Sequence, residues 1–146
     1  MKHDESALVK QALRDAREQL ARTGRVNPGA YMLVRQNPQT GAPLTHPTAL
    51  GAQRDQPFAS QAEYGEFLET LRGEARRLQA IAVVMAGEAQ AEVETSHGST
   101  LRRVLYVRVE DQAGVQQMHA AIESGVLGPL LADPDTADEL EQPLLP

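Results

Sequence analysis

Four histidines, His3, His46, His97 and His119, are the side chains best suited to metal or proton chemistry in a chain with no cysteine. Without cysteine there are no disulfides, no thiolate metal sites and no thiol nucleophile. No two histidines stand at the His-x-x-x-His spacing that puts both on one helical face toward a metal. A site assembled in space from His46, His97, His119 and Glu88 is conceivable. The simpler expectation is a fraying His3, loop positions for His46 and His97, and a half-exposed His119. Ser96-His97-Gly98-Ser99 sets a hydroxyl beside an imidazole, but adjacent side chains diverge and no Gly-x-Ser-x-Gly elbow exists. A hairpin tip needs Ser, His and Gly for its turn alone.

Glu88, Glu92 and Glu94 fall at alternate positions, so they can share one strand face. Neighbouring carboxylates can raise one another's pKa for acid–base work. Cross-strand pairing with Arg102, Arg103 or Arg108 explains the pattern without catalysis and is the preferred expectation. Asp133-x-Asp135-x-x-Asp138 lacks the glycine and the distal glutamate of a calcium loop. Gly24, Gly29, Gly41 and Gly51 are isolated, so no phosphate-cradling loop is present. Arg72, Arg76 and Arg77 lie late in a helix, where cations complement the dipole. The expectation is therefore no catalytic, cofactor-binding or metal-binding residue, no cofactor, and a protein that leans away from being an enzyme.

The elements that must position these residues read as follows. Val9, Leu13, Ala16 and Leu20 recur at helical spacing, with Asp4 or Ser6 to cap the helix and Gly24 to end it. The stripe is narrow and rich in alanine, so the helix needs a covering partner. Asn27-Pro28-Gly29 predicts a turn, Ala30 to Gln36 a strand, and Asn37 to Gly41 a hairpin loop. Pro43 and Pro47 make the returning segment, Ala42 to Leu50, a short or edge strand. Gly51 to Pro57 reads as a polar connector. Ser60-x-x-Glu63 is a capping box, and Tyr64, Phe67, Leu68, Leu71, Ala75 and Leu78 form an unbroken apolar helical stripe.

Ala80 to Ala91 predicts a strand, with Ile81 to Met85 apolar on both faces. Leu101 to Glu110 alternates, Leu105, Val107 and Val109 opposing Val104, Tyr106 and Arg108, and returns as its hairpin partner. Residues 115–124 fit a helical face through Val115, Met118 and Ile122. A strand over Gln117 to Glu123 would continue the meander and is preferred. The predicted class is α+β: an antiparallel sheet of four to five strands, with two amphipathic helices packed on one face.

The length suits one domain, 1–131, followed by an acidic tail, 132–146. Residues 1–114 carry 14 basic and 14 acidic residues. The net charge of −6 belongs to the last 32 positions, from Glu123 to Glu141. An acidic balance disfavours nucleic acid. A nucleic-acid binder would need a basic stripe from Arg35, Arg102 and Arg108. The mostly apolar run Ile81 to Ala86 is too short to span a bilayer, and Met1 to Glu5 lacks a signal-peptide core. Absent cysteine favours a reducing compartment, so the expected location is cytoplasmic. Leu140, Leu144 and Leu145 interleave with acids in the tail. Solubilising or self-docking is preferred there over recognition of another protein. The leading functional expectation is a self-associating interaction or assembly module, a homodimer. The alternative is a small enzyme or ligand-binding domain with its site between the sheet and the second helix.

Overall fold

A computed structural model describes residues 3–133 and 143–145, without the side chains of His3 and of residues 93–95. The order is α1 (His3–Thr23), β1 (Gly29–Gln36), β2 (Pro43–Gln53), α2 (Gln61–Arg77), β3 (Ala82–Thr95), β4 (Gly98–Asp111) and β5 (Gly114–Glu123). Two short strands follow, β6 (Val126–Leu127) and β7 (Leu131–Ala132). All pairings are antiparallel, and the spatial order is β2-β1-β3-β4-β5-β6, with β7 also on β5. The α+β class stands, with seven strands where four to five were expected. Residues 115–124 are strand, as preferred, and β5 opens already at Gly114. The two extra strands come from the break at Gly125. Ser124 and Gly125 both take positive φ (52° and 74°), the two-residue turn that folds β6 back onto β5.

One expectation about the helices is corrected: they lie on opposite faces of the sheet. Leu8, Val9, Ala12, Ala16 and Leu20 of α1 pack with Leu33, Ala82, Val84, Leu105, Val107 and Val109. Leu68, Leu71, Ala75 and Leu78 of α2 pack with Ala30, Met32, Val34, Val83 and Met85. Neighbours along a strand point to opposite faces, so β1 and β3 are apolar on both. Each face then needs its own cover, and two helices supply one each.

Local signals act much as read. Gly24, at φ 77°, closes α1, and its N–H reaches the Leu20 carbonyl at 2.9 Å. The helix already runs from His3, so Asp4 and Glu5 occupy its first turn and Ser6 lies inside it. The Ser60 hydroxyl accepts from the Glu63 N–H at 3.1 Å. The Glu63 carboxylate, however, turns to Arg54. β2 does not end at Leu50: Gly51 to Gln53, expected in a connector, continue it opposite Tyr31, Ala30 and Gly29.

The helix α1 meets the sheet through Ala12 and Ala16, 4 % and 1 % exposed. Small side chains let its backbone approach closely, with no volume to spare. Ala16→Leu is expected to destabilise the fold by about 1–3 kcal/mol through overpacking. Denaturant unfolding measures this, with the midpoint falling at unchanged slope.

Candidate functional site

The sheet is wider than a helix, so α2 leaves part of its own face uncovered. That face of β4 and β5 bears Tyr106, Arg108, Glu110, Gln117 and His119, with Val83 opposite Glu110 and Met85 opposite Arg108. Polar residues thus stand where the helix does not reach. Arg108 and Glu110 are nonetheless buried, 5 % and 2 % exposed, and form an ion pair at 2.9 Å. Burying charges costs desolvation, which the pair and further hydrogen bonds offset. The Glu110 carboxylate also accepts the backbone N–H groups of Leu144 and Leu145, at 3.1 and 2.6 Å. Leu144 is buried in the α2-face core, and Arg72 donates to the Pro143 carbonyl at 3.2 Å. Pro143 to Leu145 therefore dock on their own domain. The acids Asp135, Asp138, Glu139 and Glu141, with Leu140, lie outside the described residues.

Among the described residues, the start of α2 and this part of the sheet leave between them a cleft of about 860 Å³. Phe58, Gln61 and Tyr64 form one wall, and Met85, Tyr106 and Gln117 are among its floor residues. Phe58 is held by Tyr64 and Phe67, with ring centroids 5.1 and 5.3 Å away, and by the Arg54 guanidinium 4.5 Å over its ring. A second hollow of about 530 Å³ adjoins it, sharing Phe58 and Tyr106 and reaching Asn27 and Pro28.

The other notable surface is the β2 edge. Arg54 donates to the Pro28 carbonyl. With the β1–β2 register, this turns the backbone groups of Thr48, Leu50 and Ala52 toward β1 and those of Ala49, Gly51 and Gln53 outward. Those three residues are exposed. From Gln36 to Gln53 there is no Lys, Arg, Asp or Glu. The opposite edge is different: β6 and β7 pair with β5, and Asp133 and Gly128 donate to the Gln117 and Ala121 carbonyls.

The sequence candidates disperse over this frame. His46 is on β2 and His119 on β5, four strand spacings or about 19 Å apart. His97 is at the exposed β3–β4 turn, where Gly98 takes φ 106°, and His119 bonds Asp133 instead. Among the described residues no three His, Asp or Glu side chains are placed to hold a metal ion. Of the carboxylates on β3, Glu88 makes a two-pronged pair with Arg103, at 2.8 and 2.7 Å, as cross-strand pairing predicts. Glu92 stands opposite Leu101. Arg102 bonds Glu123, and Arg108 is buried, so Arg35, Arg102 and Arg108 form no exposed stripe. Arg72 and Arg77 pair with Glu69 and Glu74 one helical turn back. Among the described residues no helix is long and apolar enough to cross a membrane.

The sequence reading set its alternative site between the sheet and the second helix, where this cleft lies, but not its lining residues, which come from five separate segments. It read the segment of β2 as a short or edge strand from its prolines, but left the uncharged run unremarked.

Glu88 also accepts the Val26 N–H at 3.2 Å, and Arg103 donates to the Gly24 carbonyl at 2.6 Å. The pair ties the end of α1 to the sheet. Arg103 holds the Glu88 carboxyl below its ordinary value, with help from Val26 and against the effect of burial. A depressed folded pKa gives stability that is present above the unfolded value, near 4.5, and is lost as pH falls through the folded value. Glu88→Gln is expected to cost about 1–2 kcal/mol at neutral pH. The gap to the unaltered chain should shrink as pH drops below that value, as urea unfolding across a pH series would measure.

No family model matches the chain, and no curated protein or solved structure is similar to it.

Proposed function

We propose that the protein is a self-associating assembly module whose contact is the outer edge of β2, joined to the same edge of a second copy. The observation that carries this reading is an eleven-residue edge strand that is exposed and uncharged. Unpaired strand edges invite another strand, and proteins usually guard them with charge, bulges or cover. β5 has such cover; β2 has its prolines, Pro43 and Pro47, and an irregular register between Pro43 and Thr48, whereas Thr48 to Gln53 pair regularly and carry no such guard.

The strand suits itself. Two antiparallel copies of β2 centred on Gly51 would set Ala49 opposite Gln53 of the second copy. Three outward N–H groups per strand would meet outward carbonyls, and Pro47, which has no N–H, would fall outside the paired core. No like charges would meet, which matters for a chain of net charge −6. The apolar face of α1 is used up within the subunit, so it offers no rival contact. Docking of Leu144 on its own domain favours a self-docked tail over one that recruits another protein. The cysteine-free composition fits a cytoplasmic protein.

Sedimentation tests the reading. At tens of micromolar the unaltered chain is expected at twice 15.9 kDa. Ala49→Pro removes an outward donor without touching the β1 pairing, and is expected to give the 15.9 kDa species with the circular dichroism unchanged. An unaltered chain that sediments as a monomer overturns the proposal, as does an Ala49→Pro dimer of undiminished affinity.

A further inference from the structure

We infer that the cleft between α2 and the sheet binds a small, flat, uncharged molecule with hydrogen-bonding groups on its rim. It rests on observations other than the β2 edge, which lies across β1 from the nearest strand of the cleft's floor, β3.

Three observations define the ligand. The first is size: about 860 Å³ lies in the range of cavities that enclose small organic molecules. The second is aromatic content. The chain has five aromatic residues, and three of them, Phe58, Tyr64 and Tyr106, line this one cleft in half-buried positions. Aromatic walls favour a ligand that offers a ring face or edge. The Tyr106 ring lies close over Gly87, where a β-carbon would come within 3.2 Å of its hydroxyl.

The third observation is charge. Among the described residues the ionisable groups on the cleft's lining each have a partner inside the chain: Arg108 pairs with Glu110, Glu88 with Arg103, and Asp133 is hydrogen-bonded to His119. An anionic or cationic ligand would surrender its hydration without a counter-charge in return. The other polar side chains of the described lining are neutral, among them Gln61, Gln117 and Ser60, whose hydroxyl also caps α2. These can orient an uncharged ring carrying an N–H or carbonyl at its edge.

The test uses three probes of similar size: indole, benzoate and benzylamine. With the full chain, ligand-observed saturation-transfer NMR is expected to give saturable binding of indole, with Kd on the order of 1 mM for so small a fragment. Benzoate and benzylamine should bind at least tenfold more weakly. In the unaltered protein, amide shifts on adding indole should concentrate at residues 58–64, 85–89 and 106–108. Ala89→Trp, which fills the cleft from its floor, should weaken indole at least tenfold while leaving the circular dichroism unchanged. Absence of saturable indole binding overturns the inference. So do shifts outside those segments, or a charged probe that binds as well as indole. If Ala89→Trp does not fold, the shift map in the unaltered chain decides alone.

Discussion

The architecture depends on one constraint: β1 and β3 are apolar on both faces. Ala30, Met32 and Val34 look one way and Tyr31 and Leu33 the other; Val83 and Met85 oppose Ala82 and Val84. Neither face of these strands can meet water, so α1 and α2 must divide between them. One helix is narrower than six ordered strands, so coverage stops short. On the α2 face it stops over β4 and β5, leaving the cleft. At the margin of the sheet it stops before β2, whose residues are mostly exposed. Both candidate surfaces are thus consequences of having one helix for each face.

The same constraint explains where buried charge is found. Arg108 and Glu110 occupy the α2 face of β4, beyond the reach of the helix's leucines. Their burial is completed by Leu144 and its backbone donors to Glu110. Breaking such a site by removing one partner leaves a buried charge unsatisfied, which costs far more than the pair contributes. Pro143 to Leu145 are therefore part of the folded domain, despite following a strongly acidic stretch. On the other face, Glu88 and Arg103 perform a related task at the end of α1, closer to solvent.

Elements written in local pattern were legible from the residues. The stripe from Tyr64 to Leu78, the cap at Ser60 and the alternation from Leu101 to Glu110 each rest on neighbours within a few positions. The preference for strand over Gln117 to Glu123 came from the need of β4 for a neighbour, and that reasoning holds. The placement of the helices is written less directly, in the run Ile81 to Met85, which is apolar on both faces and so requires one helix per face. The pairing of Glu88 with Arg103 was within reach of cross-strand arithmetic, whereas the bond from Glu110 to Leu144 was not. It joins residues 34 positions apart, and nothing local announces it. The lining of the cleft is equally silent, because Phe58, Met85, Tyr106 and Gln117 converge only through the topology.

Amide hydrogen exchange at Ala49, Gly51 and Gln53 tests the association account most directly, because their N–H groups face no partner strand among the described residues. The account predicts that all three are protected at high protein concentration and lose that protection together on dilution, while Thr48, Leu50 and Ala52 stay protected throughout. Rapid exchange of the three at every concentration, or protection that does not change with concentration, would contradict it.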